Sequence, residues 1–231
     1  MTRLLVHVEG QTEEQFVNQV LAPHLTVRGY SSVSARMVGN QRQRHRRGGI
    51  RNWNSVRKEI LNHLKEDPRI VATTMVDYYG LPSTWPGREP ANAIRTVAEK
   101  AEAVENAILE DISLGLGNLD PGRFVPYVVM HEFEGLLFSD PAQLASGIRR
   151  VDLCGSFQVI RESFETPEEI DDSPNTAPSK RIQDLHKKYD KVLDGNAAIE
   201  QIGLPTIRRE CPLFRGWIAR LEERASQVSC S

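Results

Sequence analysis

The sequence lacks the features that mark several classes of protein. Its three cysteines lie far apart and form no CxxC pair, which excludes a zinc-ribbon spacing and a disulfide framework. We therefore expect reduced thiols and a cytoplasmic protein. No run of about 18 apolar residues is present, and the apolar run near residue 1 is shorter than that of a signal peptide. We expect no membrane span.

Common nucleotide-binding and hydrolase motifs are also missing. The chain contains no GxxxxGK(S/T) phosphate-binding loop, no GxGxxG after a strand and no GxSxG elbow. The net charge is −2, so nucleic-acid binding would have to come from a local basic patch. With 231 residues, of which 39% are hydrophobic, the chain is long enough to bury a core.

The hydrophobic pattern predicts an α/β fold. Apolar, β-branched runs predict strands at 4–8, 32–38, 70–76 and 124–130. His7, inside the first strand, is expected to pack in the core. Strands that alternate with helices form mostly parallel sheets with helices on both faces. We predict such a domain over residues 1–150 and a helical C-terminal extension over 151–231.

Local signals predict where several helices begin. Thr12 and Gln15 fit a capping box at the start of the first helix. Apolar spacing starts the longest helix at Ala91, and Pro141 opens another helix. Pro126 indicates an edge position or a bulge in the fourth strand. Short helices are predicted in the C-terminal part at 179–188, 194–202 and 212–226.

Three carboxylates directly follow predicted strands: Glu9, Asp77 and Glu132. In a parallel sheet the ligand site lies beyond the carboxyl ends of the strands, so these side chains are expected to converge. Converging acids repel one another unless a cation neutralises them, and oxygen ligands favour Mg²⁺ or Mn²⁺. Three solvated acids at strand-to-loop boundaries are the alternative. We predict a metal site because all three acids occupy equivalent places.

Neighbouring residues extend this candidate site. Glu13 lies four residues after Glu9 and is a further candidate metal ligand, although the helix dipole also favours an acid in the first helical turn. Glu134 faces the same way as Glu132 if the strand continues that far. His131 is a candidate general base or ligand, and a packed structural histidine is the alternative.

A basic run follows the second predicted strand. It contains the five arginines Arg42, Arg44, Arg46, Arg47 and Arg51. A cluster this dense neutralises several phosphates and predicts salt-dependent binding of nucleic acid. A solvated loop and a contact with an acidic partner are equal alternatives. Lys180 and Arg181 are a second candidate phosphate contact, with ordinary helix-surface charges as the alternative.

Several motifs together resemble those of one bacterial family, the domain of unknown function 4276. The first is VEGQTEEQF at 8–16, which looks like the opening motif of Toprim-like proteins, and VDYYGLP at 76–82 stands in the place of the second Toprim motif. A third matching block is HEFEGLLF at 131–138. The pattern is completed by PSKR at 178–181, IGL at 202–204, and CPLF at 211–214 with Trp217. The match covers nearly the whole chain.

The resemblance implies a Toprim fold related to the nuclease domains of OLD-type proteins. Toprim enzymes hold Mg²⁺ with a glutamate after the first strand and an Asp-x-Asp after a later one, and they act on nucleic-acid phosphodiesters. Glu9 carries over to the glutamate and Asp77 to the first aspartate. Tyr79 stands where the second aspartate is expected, and Glu132 or Glu134 is the candidate replacement. The resemblance also implies a companion ATPase of AAA or ABC type in phage-defence or mobile-element systems.

These observations predict a divalent-metal-dependent nuclease subunit that hydrolyses phosphodiesters of DNA or RNA. Glu9, Asp77 and Glu132 are expected to hold Mg²⁺ or Mn²⁺, with Glu13 and Glu134 as additional ligands. The alternative is a non-catalytic module that uses a degenerate Toprim site to bind nucleic acid or the ATPase, and the missing second aspartate favours it. Association into a homo-oligomer is left open.

Overall fold

A central sheet is built from the β-branched and apolar runs of the first 130 residues. The computed structural model describes residues 2–38, 50–170 and 176–229. Its strands are β1 (Arg3–Val8), β2 (Ser32–Met37), β3 (Ile70–Asp77), β4 (Phe124–Val125) and β5 (Val128–Val129). Their order is β2-β1-β3-β4 with parallel neighbours, and β5 also pairs with β3. The predicted mostly parallel α/β sheet is confirmed.

Burial along the strands follows their place in the sheet. β1 lies between β2 and β3, and Val6 of β1 is level with Ala35 and Thr73. The interior of β3 is buried without alternation, as expected of an inner strand of a parallel sheet covered on both faces. β2 alternates between exposed and half-buried residues because it is the edge strand.

Helices make up most of the rest of the described chain. Their bounds are α1 (Gln11–Phe16), α2 (Ala22–Val27), α3 (Trp53–Glu66), α4 (Val97–Leu116), α5 (Pro141–Gly147), α6 (Cys154–Glu162), α7 (Pro178–Leu185), α8 (Leu193–Ile202), α9 (Leu204–Glu210) and α10 (Pro212–Ser229). A π-helical stretch, Val17–Leu21, joins α1 to α2. The predicted short helices correspond to α7, α8 and α10, whereas α6 and α9 were not predicted because few apolar residues mark them.

Two predicted helix starts are wrong. Gly10 is the N-cap of α1, and its backbone N–H donates to Oε2 of Glu13 at 3.0 Å, so the capping interaction lies two residues before the predicted Thr12–Gln15 box. The longest helix, α4, starts at Val97 because Thr96 Oγ1 accepts from the N–H of Glu99. Pro90–Ala93, where the prediction began that helix, forms a separate 3-10 turn.

Pro126 interrupts the fourth predicted strand, as expected. The run is divided into β4 and β5, and the side chain of Thr74 bonds to the backbone between them. Thr74 Oγ1 donates to the carbonyl of Tyr127 and accepts from its N–H, both at 3.0 Å. A threonine hydroxyl thus supplies the bonds that the regular ladder lacks beside a proline.

The chain divides into two compact units. Unit 1 consists of residues 1–76, 80–128 and 217–231, and unit 2 of residues 77–79 and 129–216. This division differs from the predicted boundary at residue 150. One reason is that Trp217 belongs to unit 1, where its indole N–H donates to Thr73 Oγ1 at 2.8 Å and its ring stacks on Tyr127 at 4.4 Å. Helical periodicity does not indicate with which unit a helix packs.

Close helix packing and one buried acid organise unit 2. Helix α5 packs against α6 and α8. Gly147 of α5 touches the backbone of α8, since a Cβ at position 147 would lie 2.8 Å from the Ala198 nitrogen. Buried Glu168 accepts from the N–H groups of Leu213 and Phe214 at the start of α10, at 2.9 and 2.8 Å. This carboxylate satisfies two donors that a helix leaves unbonded at its N-terminus.

The thiols and the helices agree with the sequence-based expectations. Cys154 and Cys211 are free, and Cys211 is buried with its Sγ 3.3 Å from Ser139 Oγ. Cys230 lies outside the described residues. In the described part of the chain, no helix has both the length and the apolar character that a membrane crossing requires.

His7 is a buried histidine in β1, as predicted. Its Nδ1 lies 3.2 Å from the Thr73 carbonyl and its Nε2 lies 3.3 Å from Nδ1 of His63. These contacts place the proton of His7 on Nδ1 and let Nε2 accept from His63. Complete burial, together with the nearby charge of His63, lowers the pKa of His7 to about 4.

The first prediction concerns stability against pH. Because the folded pKa of His7 is below its unfolded value, the unfolded chain takes up a proton that the folded chain refuses between about pH 6.5 and pH 4, so stability falls as pH falls. A His7→Asn variant keeps a donor toward Thr73. Over this range its free energy of unfolding should fall by about 3 kcal/mol less than that of the wild type. Urea unfolding at several pH values measures the difference. An equal change of the free energy of unfolding with pH in both proteins would contradict the lowered pKa of His7.

Candidate functional site

The backbone around Asp77 brings two segments of unit 2 together. Asp77 is the last residue of β3, and its Oδ1 accepts from the N–H of Phe133 at 3.0 Å. Two residues later, the N–H of Tyr79 donates to the carbonyl of His131 at 3.1 Å. His131 is buried and has a φ of 66°, a conformation that non-glycine residues adopt rarely. This turn sets the direction of the chain that carries Glu132 and Glu134.

Glu132 and Glu134 flank the start of a 3-10 helix, Phe133–Ser139. The Oε2 atom of Glu132 accepts from the N–H of Ser179 in the first turn of α7, at 3.1 Å. Glu132 therefore has a role in holding the N-terminus of α7. Glu134 is only 2% exposed, so its carboxylate requires a counter-charge inside the protein.

Lys191, which is not among the predicted site residues, supplies that charge. Its Nζ lies 3.1 Å from both carboxylate oxygens of Glu134 and 3.9 Å from Oε1 of Glu132. Asp77 also interacts with it electrostatically. In unit 2, Lys191 thus pairs with Glu134, lies near Glu132 and is influenced by the charge of Asp77. No local pattern marks Lys191, because it lies in a charged run that resembles ordinary surface sequence.

Two aspartates position Lys191 at the start of α8. Asp190 Oδ1 accepts from the N–H groups of Val192 and Leu193 at 2.9 and 2.8 Å, which caps the helix. The N–H of Asp190 in turn donates to Oδ2 of Asp194 at 2.9 Å. The backbone on both sides of Lys191 is therefore fixed by hydrogen bonds.

The electrostatics of the cluster follow from burial and charge. Burial raises the pKa of Glu134, Lys191 opposes this shift, and the Glu132 carboxylate adds to it. Burial alone would lower the pKa of Lys191, but the carboxylates of Glu134, Glu132 and Asp77 raise it. Lys191 therefore stays protonated, and the cluster carries a fixed positive charge among three acids.

Tyr189 adds a buried polar group beside the acids. Its side chain is 7% exposed, and its hydroxyl makes no hydrogen bond within the described residues. Burial, followed by the charges of Glu134 and Asp194, raises the pKa of Tyr189. A neutral hydroxyl that can both donate and accept is thus held against the cluster.

Glu9 and Glu13 belong to unit 1. Glu9 follows β1, and its carboxylate lies against Gly80, where an added Cβ would come within 3.0 Å of Oε2. Glu13 is buried and reaches back to the N–H of Gly10, so it caps α1. The convergence of Glu9 with Asp77 and Glu132 on one metal ion stays a prediction, as do the metal-ligand role of Glu13 and the catalytic role of His131.

The acids of the described residues do not form a preformed metal centre. In residues 2–38, 50–170 and 176–229, no three His, Cys, Asp or Glu side chains form a group that could hold a metal ion. Mg²⁺ is commonly held by only one or two carboxylates, with water and substrate phosphate completing its shell. Asp77 and Glu132 are the candidates for that arrangement, and a metal ion held by them stays a prediction.

Only Arg51 of the five arginines in the predicted basic run belongs to the described residues. Arg42, Arg44, Arg46 and Arg47 lie outside the described residues. The guanidinium of Arg51 pairs with Glu59, and its Nε donates to the Val38 carbonyl at 2.7 Å. These bonds tie Arg51 to the fold of unit 1, and its contact with nucleic acid stays a prediction.

Lys180 and Arg181 lie in the first turns of α7. Lys180 Nζ is 3.2 Å from Gln183 Oε1. Arg181 Nε donates to the Thr176 carbonyl at 2.8 Å, and its guanidinium lies 5.3 Å from the centre of the Phe164 ring. These contacts are structural, so the proposed phosphate contact of this pair also stays a prediction.

Comparisons with known proteins give one match. A family model described as "Domain of unknown function (DUF4276)" matches residues 8–222. The matched range runs from the last residue of β1 into α10 and includes all the described acids of the cluster. Neither the curated proteins nor the solved structures contain a match to the chain.

The second prediction tests the cap that positions Lys191. Replacing Asp190 by alanine removes the acceptor of two backbone N–H groups at the start of α8 and should lower the free energy of unfolding by about 1 kcal/mol. Asp184→Ala is the matched control, because Asp184 is exposed and pairs with the exposed Lys187, so its loss should cost clearly less than the loss of Asp190. Urea unfolding measures both. Equal losses would show that Asp190 does not cap α8.

Proposed function

We propose that this chain, which belongs to the DUF4276 family, is a divalent-metal-dependent phosphodiester hydrolase that cleaves nucleic acid. The observation that supports this function best is the cluster of Asp77, Glu132 and Glu134 around the Lys191 ammonium in unit 2. Carboxylates beside a fixed cation are the groups that hydrolysis of a phosphodiester requires. The resemblance of the motifs to those of Toprim nucleases supports the same function.

The acids at the edge of the cluster would hold the ion. Asp77 and Glu132 each use one carboxylate oxygen to accept from a backbone N–H, which fixes the orientation of the carboxylate. When bound, Mg²⁺ or Mn²⁺ would activate water and stabilise negative charge on the phosphate. Glu134 is too deeply buried to meet a substrate, and its role is to hold Lys191 in place.

The proposed reaction is hydrolysis, in which one bond to phosphorus forms and one breaks. A water oxygen forms a bond to phosphorus, and the ester bond between phosphorus and the leaving oxygen breaks. One proton of the water passes to solvent and the leaving oxygen takes one from solvent. One water molecule is consumed for each phosphodiester cleaved.

A second candidate function is a non-catalytic module that binds nucleic acid or a partner ATPase. One observation favours it: a protein cation already neutralises part of the acidic cluster, and the described residues contain no three-acid metal group. The partner, an ATPase of AAA or ABC type, is proposed on the resemblance of the motifs alone. Both candidates therefore require assays with and without an ATPase encoded beside the gene.

The third prediction tests the hydrolase. With Mg²⁺ or Mn²⁺, the purified protein should cleave labelled DNA or RNA, and EDTA should abolish cleavage. Asp77→Asn and Glu132→Gln keep an acceptor for their backbone donors but lose the negative charge, so each should reduce the rate at least about 100-fold. Gel assays on single- and double-stranded substrates, with and without the ATPase, measure these rates.

A matched control is Asp184→Asn, which removes an exposed charge of the same unit and should leave the rate unchanged. Glu9→Gln tests the separate prediction that Glu9 is a ligand. Cleavage that survives both Asp77→Asn and Glu132→Gln would place the activity elsewhere. Salt-dependent binding without cleavage under any condition would favour the second candidate.

A further inference from the structure

A pocket in unit 1 lies between α4 and α10, where β4 forms an edge of the sheet. Its volume of about 420 Å³ falls within the range of sites that bind small molecules. Leu109 of α4, the two residues of β4 and Pro126 supply an apolar wall. The charged cluster of unit 2 takes no part in this pocket, so its ligand has to be inferred from the lining residues alone.

The backbone of the apolar wall does not suit a peptide partner. Pro126 has no N–H, and its carbonyl already accepts from Nη2 of Arg220 at 3.0 Å. A strand that adds to a sheet edge needs a continuous row of backbone donors and acceptors, which this edge does not present. The occupant that fits is a small molecule with an apolar part that contacts the wall.

Two guanidinium groups border the apolar wall. Arg220 and Arg224 are four residues apart in α10, so both lie on the side of the helix that faces the pocket. Nη2 of Arg220 donates to Oε2 of Glu105 and to the Pro126 carbonyl, both at 3.0 Å. A guanidinium has five N–H donors, so three donors of Arg220 remain after these two bonds.

Gly122 makes room for the second guanidinium. A Cβ added at position 122 would overlap Nη2 of Arg224. Nη1 of Arg224 donates to Oε1 of Gln227 at 3.0 Å, and Nη2 donates to Oδ2 of Asp120 at 3.4 Å. The side chain of Arg224 is 23% exposed, so its guanidinium lies against the turn at Gly122 instead of extending into solvent.

The acids of the pocket leave both arginines available to an anion. Both oxygens of Glu105 are occupied, since Oε1 accepts from the N–H of Val128 at 3.2 Å and Oε2 accepts from Arg220. Burial raises the pKa of Glu105 to about 7, so near neutral pH its carboxyl group is ionised in only part of the molecules. Glu223 is exposed and accepts from Nε2 of Gln227 at 3.1 Å.

We propose that this pocket binds a small organic anion, whose apolar body lies on the wall and whose phosphate or carboxylate group accepts from Arg220 and Arg224. Guanidinium groups suit such anions because their N–H donors match the geometry of carboxylate and phosphate oxygens. A mononucleotide and an aromatic carboxylate share this chemistry. The inference goes beyond the proposed hydrolase and does not depend on it, because it gives unit 1 a ligand site of its own.

The test uses anilinonaphthalene sulfonate, a fluorescent probe that joins an apolar ring system to one anionic group. Its fluorescence should rise on titration with the full chain and should indicate one saturable site per chain. Arg224→Met should weaken binding of the probe at least about tenfold. Gly122→Ala changes no charge but displaces the Arg224 guanidinium, so it should weaken binding at least about threefold.

Two further variants make the result interpretable. Arg215→Met is the matched control, because Arg215 is an exposed arginine of α10 outside the pocket lining, and it should leave the affinity unchanged. Arg220→Met is combined with Glu105→Gln, because the single variant would leave a buried carboxylate without its partner. This double variant keeps the net charge and should bind the probe at least about tenfold more weakly. Circular dichroism checks that each variant is folded.

Competition then identifies the class of ligand. Displacement of the probe by adenosine monophosphate would support a nucleotide, and displacement by benzoate would support an aromatic carboxylate. Displacement by inorganic phosphate alone would show that the apolar wall has no role and would overturn the proposal. Equal affinity in the wild type, Gly122→Ala and Arg224→Met, an equal loss in Arg215→Met, or no binding of the probe would also overturn it. None of these results depends on cleavage, so the hydrolase is tested separately.

Discussion

The ion pair between Glu134 and Lys191 is the interaction on which unit 2 depends most. An acid with 2% exposure is costly to bury, and without the ammonium at 3.1 Å its charge would be left uncompensated inside the protein. The partners come from distant parts of the chain, so the turn at His131 and the start of α8 must both be correctly placed. The left-handed backbone at His131 and the cap at Asp190 are the local devices that achieve this. Folding of the segment between them is therefore tied to the formation of the charged cluster.

In unit 1, hydrogen bonds from side chains complete an imperfect sheet. Pro126 breaks the ladder, and the hydroxyl of Thr74 restores two bonds to Tyr127. Trp217 then covers this place by stacking on Tyr127 and bonding to Thr73. Two consecutive polar threonines stand in an inner strand because their hydroxyl groups form these hydrogen bonds. Their hydroxyl groups find hydrogen-bond partners inside the protein.

Much of the fold was readable from the sequence, whereas the charged cluster was not. Apolar runs identified the strands, and the interruption of the fourth strand followed from Pro126, because these signals act over a few residues. The start of α4 was misplaced because spacing at Ala91 cannot compete with the cap at Thr96. Asp77 stands at a strand end as predicted, because a strand end is a local feature, whereas β5 ends at Val129 and Glu132 instead precedes a 3-10 helix. Lys191 was missed because its role is defined only by Glu134, 57 positions earlier in the chain.

The contact between Gly147 and Ala198 has a consequence for how this protein tolerates change. At this point two helices meet backbone to backbone, with no side chain between them that could adapt. A larger residue at either position would shift α8 as a rigid rod, and the residues at its start would move with it. Substitutions at this contact would therefore produce folded proteins in which the residues at the start of α8 are displaced. Their loss of activity would look like the loss of a catalytic group, although its cause is the displaced helix. Directed evolution of this chain should treat the two positions as fixed.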